Sequence, residues 1–350
     1  MRDILPDLNR WCEENNPIAL ATVIQTWGSS PRRVGSKMAL TTDGKITGSV
    51  SGGCVENAVF EAGIESLKAN CPRLLHFSVA DETAWDVGLA CGGSVDIFVQ
   101  PLDPHFFHGL RSVLFKNSKA VLITVIRGPE ELLGRAILMD EDENITGSIG
   151  KGWDEEILEL ARENLSNGTS HLYLLNESVE IFMEVILPPP TLIAVGGVHI
   201  AIALMSLAKT LGFRSIVVDP RKAWGNAMRF PQVDQLIQAW PEEAFQQIPV
   251  TTSTAIVMLT HDPKLDDAAL QIALSGPAFY VGALGSRSTQ TKRRRRLLEA
   301  GLTEVQMDKL HGPIGLDIGA ETPEEIALAI MAEVVDARRR HLKRDPSLIP

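Results

Sequence analysis

Through its first half the chain alternates apolar and polar positions with the period of half-buried strands, interrupted by short helical stretches. Past residue 190 the strands become short, wholly apolar runs. Alternation marks an antiparallel sheet with one covered face, and continuous apolar runs suit parallel strands covered on both. Residues 3–15 read as a short helix and 18–26 as a strand, followed by a loop at 27–33 in which Pro31 bars a central strand. Segments 37–42 and 45–50 flank Asp43-Gly44, the strongest short hairpin signal. Val55, Ala58, Val59, Gly63 and Leu67 then recur at helical spacing up to Asn70. Strands follow at 73–79 and 94–102, with a loop over 81–93 between them.

The pattern then repeats. Residues 134–155 can be laid on 35–56 without gaps, and 8 of the 22 positions are identical. Ile46-Thr47-Gly48-Ser49 returns as Ile145-Thr146-Gly147-Ser148, and Ser94-Val95-Asp96-Ile97-Phe98 as Ser178-Val179-Glu180-Ile181-Phe182. Residues 1–187 are therefore expected to form a duplicated α+β domain, with copies at 17–102 and 119–187 packed as a pseudo-symmetric pair.

Pro188-Pro189-Pro190 is read as a stiff linker. Beyond it, 191–195 and 215–219 are buried-strand runs around a helix at 200–211, which is a βαβ unit. Further runs at 254–260 and 279–284 extend this into a doubly wound parallel sheet over 191–340, Rossmann-like in outline. Thr322-Pro323-Glu324-Glu325 starts a last helix to about 340, and 341–350 reads as a tail.

A length of 350 residues suits about two domains. A net charge of -11 argues against a general nucleic-acid binder or a peripheral membrane protein. No apolar run reaches the ~18–20 residues that span a bilayer, and the first residues lack a secretory pattern, so the cytoplasm is the expected compartment. Cys12, Cys54, Cys71 and Cys91 show neither CxxC nor zinc spacing, which favours reduced thiols.

Candidate chemistry concentrates in a few stretches. Ser51-Gly52-Gly53-Cys54-Val55-Glu56 joins the hairpin to a helix. Its glycines can leave amides uncovered for an anion, while Cys54 at a helix N-terminus is placed where a thiolate is favoured. A glycine turn with a buried cysteine is the plainer reading. The repeat acts as an internal control: Cys54 becomes Trp153, Gly52 becomes Lys151, and the second copy has no match for Cys91-Gly92-Gly93. Cys54 and Cys91 are thus expected to face one cavity, with Cys12 and Cys71 incidental.

In the second half, Gly196-Gly197-Val198-His199 stands where a dinucleotide fingerprint belongs, with Asp219 lying 23 positions after the first glycine, near a ribose-binding spacing. Val198 at the second glycine position weakens NAD(P) binding, and Asp219 also suits a strand-end cap. His261 and Asp262, and Gly285, Ser286 and Arg287, follow strand ends that line the crevice in such folds. A helix-starting turn is the competing reading of His261-Asp262-Pro263. The run Lys292-Arg293-Arg294-Arg295-Arg296 reads as a solvated helix face, or as a guide for an anionic ligand or acidic partner. The glycine-rich 311–319, with Asp317, reads as a crevice-lining loop without regular structure.

Five segments carry a resemblance to a known family: Gly28-Ser29-Ser30-Pro31-Arg32, the 51–56 stretch, Gly88-Leu89-Ala90-Cys91-Gly92-Gly93, Leu259-Thr260-His261-Asp262-Pro263-Lys264, and Gly315-Leu316-Asp317-Ile318-Gly319-Ala320. In this order they resemble the XdhC/CoxI family, accessory factors of xanthine dehydrogenase and related molybdenum hydroxylases. The resemblance implies a chaperone that binds molybdenum cofactor (molybdopterin, alone or as a dinucleotide), supports its sulfuration and inserts it into the client. It also implies a cysteine desulfurase as partner. Cys54 or Cys91 would ligate molybdenum or carry a persulfide. Amides at Gly52, Gly53, Gly92 and Gly93 would hold its charged parts, and Arg287 its phosphate. Relatives show G-x-G-H where this chain has Gly196-Gly197-Val198-His199, a departure that bears on any nucleotide contact. An NAD(P)-dependent oxidoreductase built on 191–340 is the rival reading, and a docking protein without cofactor a third. A homodimer would suit the sealing of a labile cofactor.

Overall fold

The structure, a computed structural model, describes residues 1–28, 32–78, 93–150 and 152–344. The chain divides into two compact units at Pro188/Pro189.

The first unit begins with α1 (Leu5–Glu13), β1 (Ile18–Trp27), β2 (Lys37–Thr41), β3 (Ile46–Gly48), α2 (Glu56–Ala69), β4 (Arg73–Phe77) and β5 (Ser94–Pro101). The succession then recurs as α3 (Pro104–Lys116), β6 (Ala120–Arg127), β7 (Ala136–Asp140), β8 (Ile145–Gly147), α4 (Asp154–Asn167), β9 (His171–Leu174) and β10 (Glu180–Ile186). The two antiparallel sheets have the same strand order, β3-β2-β1-β5-β4 and β8-β7-β6-β10-β9. The duplication read from the sequence is thus present in the fold.

The repeat is longer than the sequence shows, because α1 and α3 share almost no residues yet occupy matching seats. A Cβ on Gly48 would meet Ile4 at 2.7 Å and the Lys37 carbonyl at 2.3 Å; one on Gly147 would meet Phe106 at 3.0 Å and the Ala136 carbonyl at 2.2 Å. Both glycines have positive φ (76° and 90°), where side chains are strained. Shared seats therefore preserve these glycines while the helices above them diverge.

Each sheet buries one face under its own helix. Val23, Leu40, Val59 and Ile97 form that core in the first copy, and Val125, Met139, Ile157 and Ile181 in the second. Ile24, Phe98, Ile126 and Phe182, one pair from each copy, meet in a further core. Strand alternation demands such an arrangement, since both faces of β1 and β6 carry apolar side chains.

The second unit comprises β11 (Thr191–Val195), α5 (His199–Thr210), β12 (Arg214–Val218), β13 (Gln235–Ile237), α6 (Pro241–Gln247), β14 (Thr254–Met258), α7 (Pro263–Ser275), β15 (Tyr280–Ala283), α8 (Arg287–Glu299), α9 (Glu304–Met307), β16 (Leu310–His311) and α10 (Pro323–Arg344). Its six strands are all parallel, in the order β13-β12-β11-β14-β15-β16. This is the doubly wound Rossmann order, with its switch point between β11 and β14. Helices α5 and α10 cover one face, and α6, α7, α8 and α9 the other. His311, expected in an irregular loop, instead pairs with Gly282 in the edge strand β16. Among the described residues no helix is long and apolar enough to cross a membrane.

Candidate functional site

In the first unit the loop before α2 closes on itself. Glu56 accepts the Ser49 hydroxyl at 2.7 Å and the amides of Ser51 and Gly52 at 2.9 Å each; its other oxygen accepts the Gly53 amide at 2.8 Å and the Ser51 hydroxyl. Ser51 Oγ in turn accepts the Cys54 and Val55 amides at 3.1 Å. Partial burial pushes the Glu56 pKa up, but the Ser51 and Ser49 hydroxyls and the backbone amides outweigh it and hold the carboxyl far below its usual range. This corrects the expectation that Gly52 and Gly53 offer amides to a ligand: the anion in their cradle is the chain's own carboxylate.

The second copy builds the same closure from Asp154, which accepts the Ser148 hydroxyl at 2.6 Å and the amides of Ile149 and Gly150 at 2.8 and 3.0 Å. A carboxylate closing this loop is therefore common to both copies, supplied by Glu56 in the first and by Asp154, one alignment position earlier, in the second, whereas Ser51 has only Gly150 at its place. Cys54 lies two residues ahead of α2, half-buried against the first copy's core. Trp153 packs at the matching place in the second copy.

Cys91 and Gly92 lie outside the described residues, as do Ser29, Ser30, Pro31 and 88–90 of the family segments. Gly93 is buried immediately before β5. Cys12 packs beside α1's core, where burial raises its thiol pKa, and the Cys71 thiol faces the Pro72 carbonyl at 3.6 Å.

A pair missed in the sequence spans β4 and β5. His76 Nδ1 lies 2.5 Å from Asp96 Oδ1, with the carboxylate buried and the ring half exposed, and Trp27 meets the imidazole edge-on at 6.1 Å. His76 faces Asp96 across the β4–β5 ladder; in the second copy Leu174 faces Glu180. The dyad is thus confined to the first copy. Only the strand register, which pattern does not provide, aligns His76 with Leu174.

In the second unit the dinucleotide loop is also engaged internally. Asp219 is fully buried: one oxygen accepts the Gly197 amide at 2.8 Å and Arg221 Nη2 at 2.7 Å, the other the Arg221 amide and Nε at 2.9 Å each. Burial raises its pKa, and the Arg221 bonds and the Gly197 amide more than reverse that. A Cβ on Gly197 would meet the Trp224 carbonyl at 2.6 Å, and one on Gly196 would meet Thr260 at 2.4 Å. These glycines are accounted for by protein neighbours, and Asp219 has no oxygen left for a ribose, which corrects all three as cofactor contacts. His199 is exposed at the start of α5, 3.9 Å from Glu324.

Asp262 caps α7, accepting the Lys264 amide at 3.0 Å, so the helix-starting reading holds for it; His261 is exposed beside it. Ser286 likewise caps α8 through the Thr289 amide at 3.3 Å. The basic run is not one solvated face. Arg293, 2% exposed, pairs with Asp266 at 3.0 Å and donates to the Leu284 carbonyl at 2.9 Å, while Arg296 pairs with Asp267. Burial pushes Asp266 up to about 6, opposed by Thr260 and Arg293. Arg294 is tied to Glu304 and Asp308 at the surface, and Arg295 lies 3.7 Å from Glu299.

What the structure does bring together is a cavity of about 480 Å³ at the C-terminal ends of β15 and β16. Gly285 and Arg287 enter it from the loop after β15, residues 313–320 from the loop after β16, and Ile326 and Ala329 from α10. Gly285, Arg287 and Asp317 are thereby united, whereas Gly196, Gly197, His199, Asp219, His261, Asp262 and Ser286 do not line it.

The cavity loop is held by three successive amides: Ile314 to the Ala283 carbonyl (3.2 Å), Gly315 to Glu333 (2.7 Å) and Leu316 to the Ala329 carbonyl (3.2 Å). Glu333 also accepts the Tyr280 hydroxyl at 2.6 Å and faces His311 Nδ1 at 2.9 Å. Burial lifts the Glu333 pKa, but His311, Tyr280 and the Gly315 amide bring it below the usual range. The contacts of Glu333 with Tyr280 and His311 escape sequence reading because they join three elements. Among the described residues no group of three or more metal-ligating side chains converges.

Comparison with known proteins agrees with the two-part fold. Residues 192–334 match the XdhC Rossmann domain and residues 11–78 the XdhC and CoxI family. A Bacillus subtilis protein described as a probable xanthine dehydrogenase component is 30% identical over 339 residues, 95% of this chain and 97% of its own length. The Escherichia coli molybdenum cofactor insertion chaperone PaoD is 27% identical across 95% of this chain and 86% of its own. A crystal structure described as a xanthine dehydrogenase from Bacillus halodurans superposes with a TM-score of 0.78 at 25% identity, covering 97% of this chain and 96% of that one. Near full-length collinearity with such proteins, on the same two-part architecture, makes this chain a member of the XdhC and CoxI family.

Proposed function

We propose that this protein binds the molybdenum cofactor, supports its sulfuration and delivers it to a molybdenum hydroxylase of the xanthine dehydrogenase type, with a cysteine desulfurase supplying sulfur. One observation carries the reading: the family segment 315–320 forms a wall of the cavity that also contains Arg287. A volume of about 480 Å³ is within the ~300–1,000 Å³ typical of small-molecule sites. Apolar walls with a few charged groups suit an organic ring system bearing a phosphate. When bound, the cofactor brings a redox-active metal on a dithiolene. The chain's contribution is to seat the organic part and exclude water. Cys54 and Cys91, the two thiols that stand in family segments, are the candidates to meet molybdenum or hold sulfur.

The oxidoreductase reading is disfavoured by the Asp219–Arg221 closure and by the Trp224 carbonyl over Gly197. Protein purified from molybdenum-replete cells separates the readings through its metal content and pterin fluorescence. Bound molybdenum and pterin support the chaperone, bound nicotinamide the oxidoreductase, and neither a docking protein. Cys54→Ala and Cys91→Ala variants that melt normally should fail to activate the client, while Cys12→Ala and Cys71→Ala should activate it. Full activation by the Cys54→Ala, Cys91→Ala double variant would end the thiol role.

A further inference from the structure

Arg287 and Asp317 are the two charged residues that line the cavity, and neither side chain makes a hydrogen bond or ion pair among the described residues. Asp317 follows directly on the three pinned amides of Ile314, Gly315 and Leu316, so its backbone is fixed before any ligand arrives. Leu316 and Ile318 on either side of it are apolar yet 43% and 52% exposed, as walls awaiting a flat apolar body would be.

An ionised carboxylate only accepts hydrogen bonds, and it does so best from two parallel N–H groups, as from arginine. A 2-amino-4-oxopyrimidine presents that fork, a ring N–H beside an exocyclic amine. Adenine and cytosine place a ring-nitrogen acceptor beside the exocyclic amine and would set that acceptor against the carboxylate. We propose that Asp317 reads the 2-amino-4-oxopyrimidine edge shared by pterins and guanine, with Arg287 taking a phosphate on the same ligand. This rests on the reading of the cavity as a cofactor site and assigns its organic end.

The test uses the full chain and 6-hydroxymethylpterin, followed by its fluorescence, with GMP, AMP and CMP as competitors. GMP should displace the pterin, and AMP and CMP should be weaker by about tenfold or more, the cost of an unmet charged hydrogen bond. Asp317→Asn should weaken pterin and GMP alike by about tenfold. Arg287→Ala should weaken GMP by a similar factor while leaving hydroxymethylpterin, which has no phosphate, within about twofold. In the Arg287→Ala background, where the phosphate no longer contributes, pterin binding above GMP identifies a pterin as the source of the edge; the reverse order identifies a guanine nucleotide. No binding of either, AMP equal to GMP, or unchanged binding by Asp317→Asn would each overturn the proposal. Asp317 is exposed, so melting of the Asp317→Asn variant should match the parent. Molybdenum content distinguishes the two levels. An Asp317→Asn variant that keeps its full cofactor load refutes this assignment alone, whereas a parent chain that binds pterin but never carries molybdenum refutes the chaperone reading alone.

Discussion

Lys37 in the first copy of the repeat and Glu184 in the second form a buried ion pair, Nζ to Oε2 at 2.7 Å, with Thr22 Oγ1 at 3.1 Å from the same nitrogen. The pseudo-symmetric positions hold Ala136 and Gln100. Backbone geometry keeps the symmetry that the charges break: a Cβ on Gly35 would approach Glu184 at 3.5 Å, and one on Gly134 would approach Gln100 at 3.0 Å. One seam between the copies is ionic and its mate is neutral.

Removing one charge should therefore hurt more than removing both. Lys37→Met leaves a buried carboxylate without its cation and should cost about 3–5 kcal/mol. Lys37→Ala with Glu184→Gln copies the neutral seam and should recover most of that loss. Urea denaturation of the three chains measures it, and equal losses in the single and double variants would contradict the account.

Glu56 links the 51–56 loop to pH. Its folded pKa lies below the unfolded value, so its contribution is present above about pH 4.5 and is lost as pH falls toward the folded pKa. Glu56→Gln should lower stability at pH 7 by about 1–2 kcal/mol, kept modest because the group is part exposed. The gap between parent and variant should close as denaturation is repeated at lower pH. A constant gap down to about pH 3, well under the ordinary glutamate value, would mean that Glu56 acts through shape and not charge.

The arginines of the α8 region should fall into three behaviours. Arg287→Ala should weaken cofactor retention by about 1.5–3 kcal/mol without changing the melt. Arg293→Ala should destabilise the fold by about 3–5 kcal/mol, since it strands buried Asp266. The Arg294→Ala, Arg295→Ala double variant should do neither. Retention assays beside thermal melts sort them, and weak retention in the double variant with a normal Arg287→Ala would reverse the assignment.

Glu333 is expected to act on the cavity through Gly315. Glu333→Leu removes both acceptor oxygens and leaves the Gly315 amide and the Tyr280 hydroxyl without their partner, at about 1–3 kcal/mol per unmet group. Faster hydrogen exchange at the Gly315 amide should accompany weaker cofactor retention. Unchanged exchange would show that the loop is held by Ile314 and Leu316 alone.

What the chain determined by itself is what short-range pattern encodes. Hairpin chemistry at Asp43-Gly44, its echo at Asp142 and the apolar run 191–195 depend on neighbours a few residues apart. The duplicated half and the parallel sheet were legible for that reason. Even the Glu56 closure spans only residues 49–56, although its carboxylate competes with any external anion, a choice that burial and hydrogen bonding make together.

The tertiary structure alone decided partnerships between distant segments. Arg293 belongs to a charged run, yet it is buried because Asp266, 27 residues earlier, meets it. Asp219 has the spacing of a ribose ligand, but Arg221 and Gly197 consume its oxygens. His76 and Asp96 meet only through strand register, and the cavity assembles loops after β15 and β16 with α10. Periodicity fixes which face of an element is covered. Which side chain meets a buried charge depends on how the elements pack, and that information is spread over the whole chain.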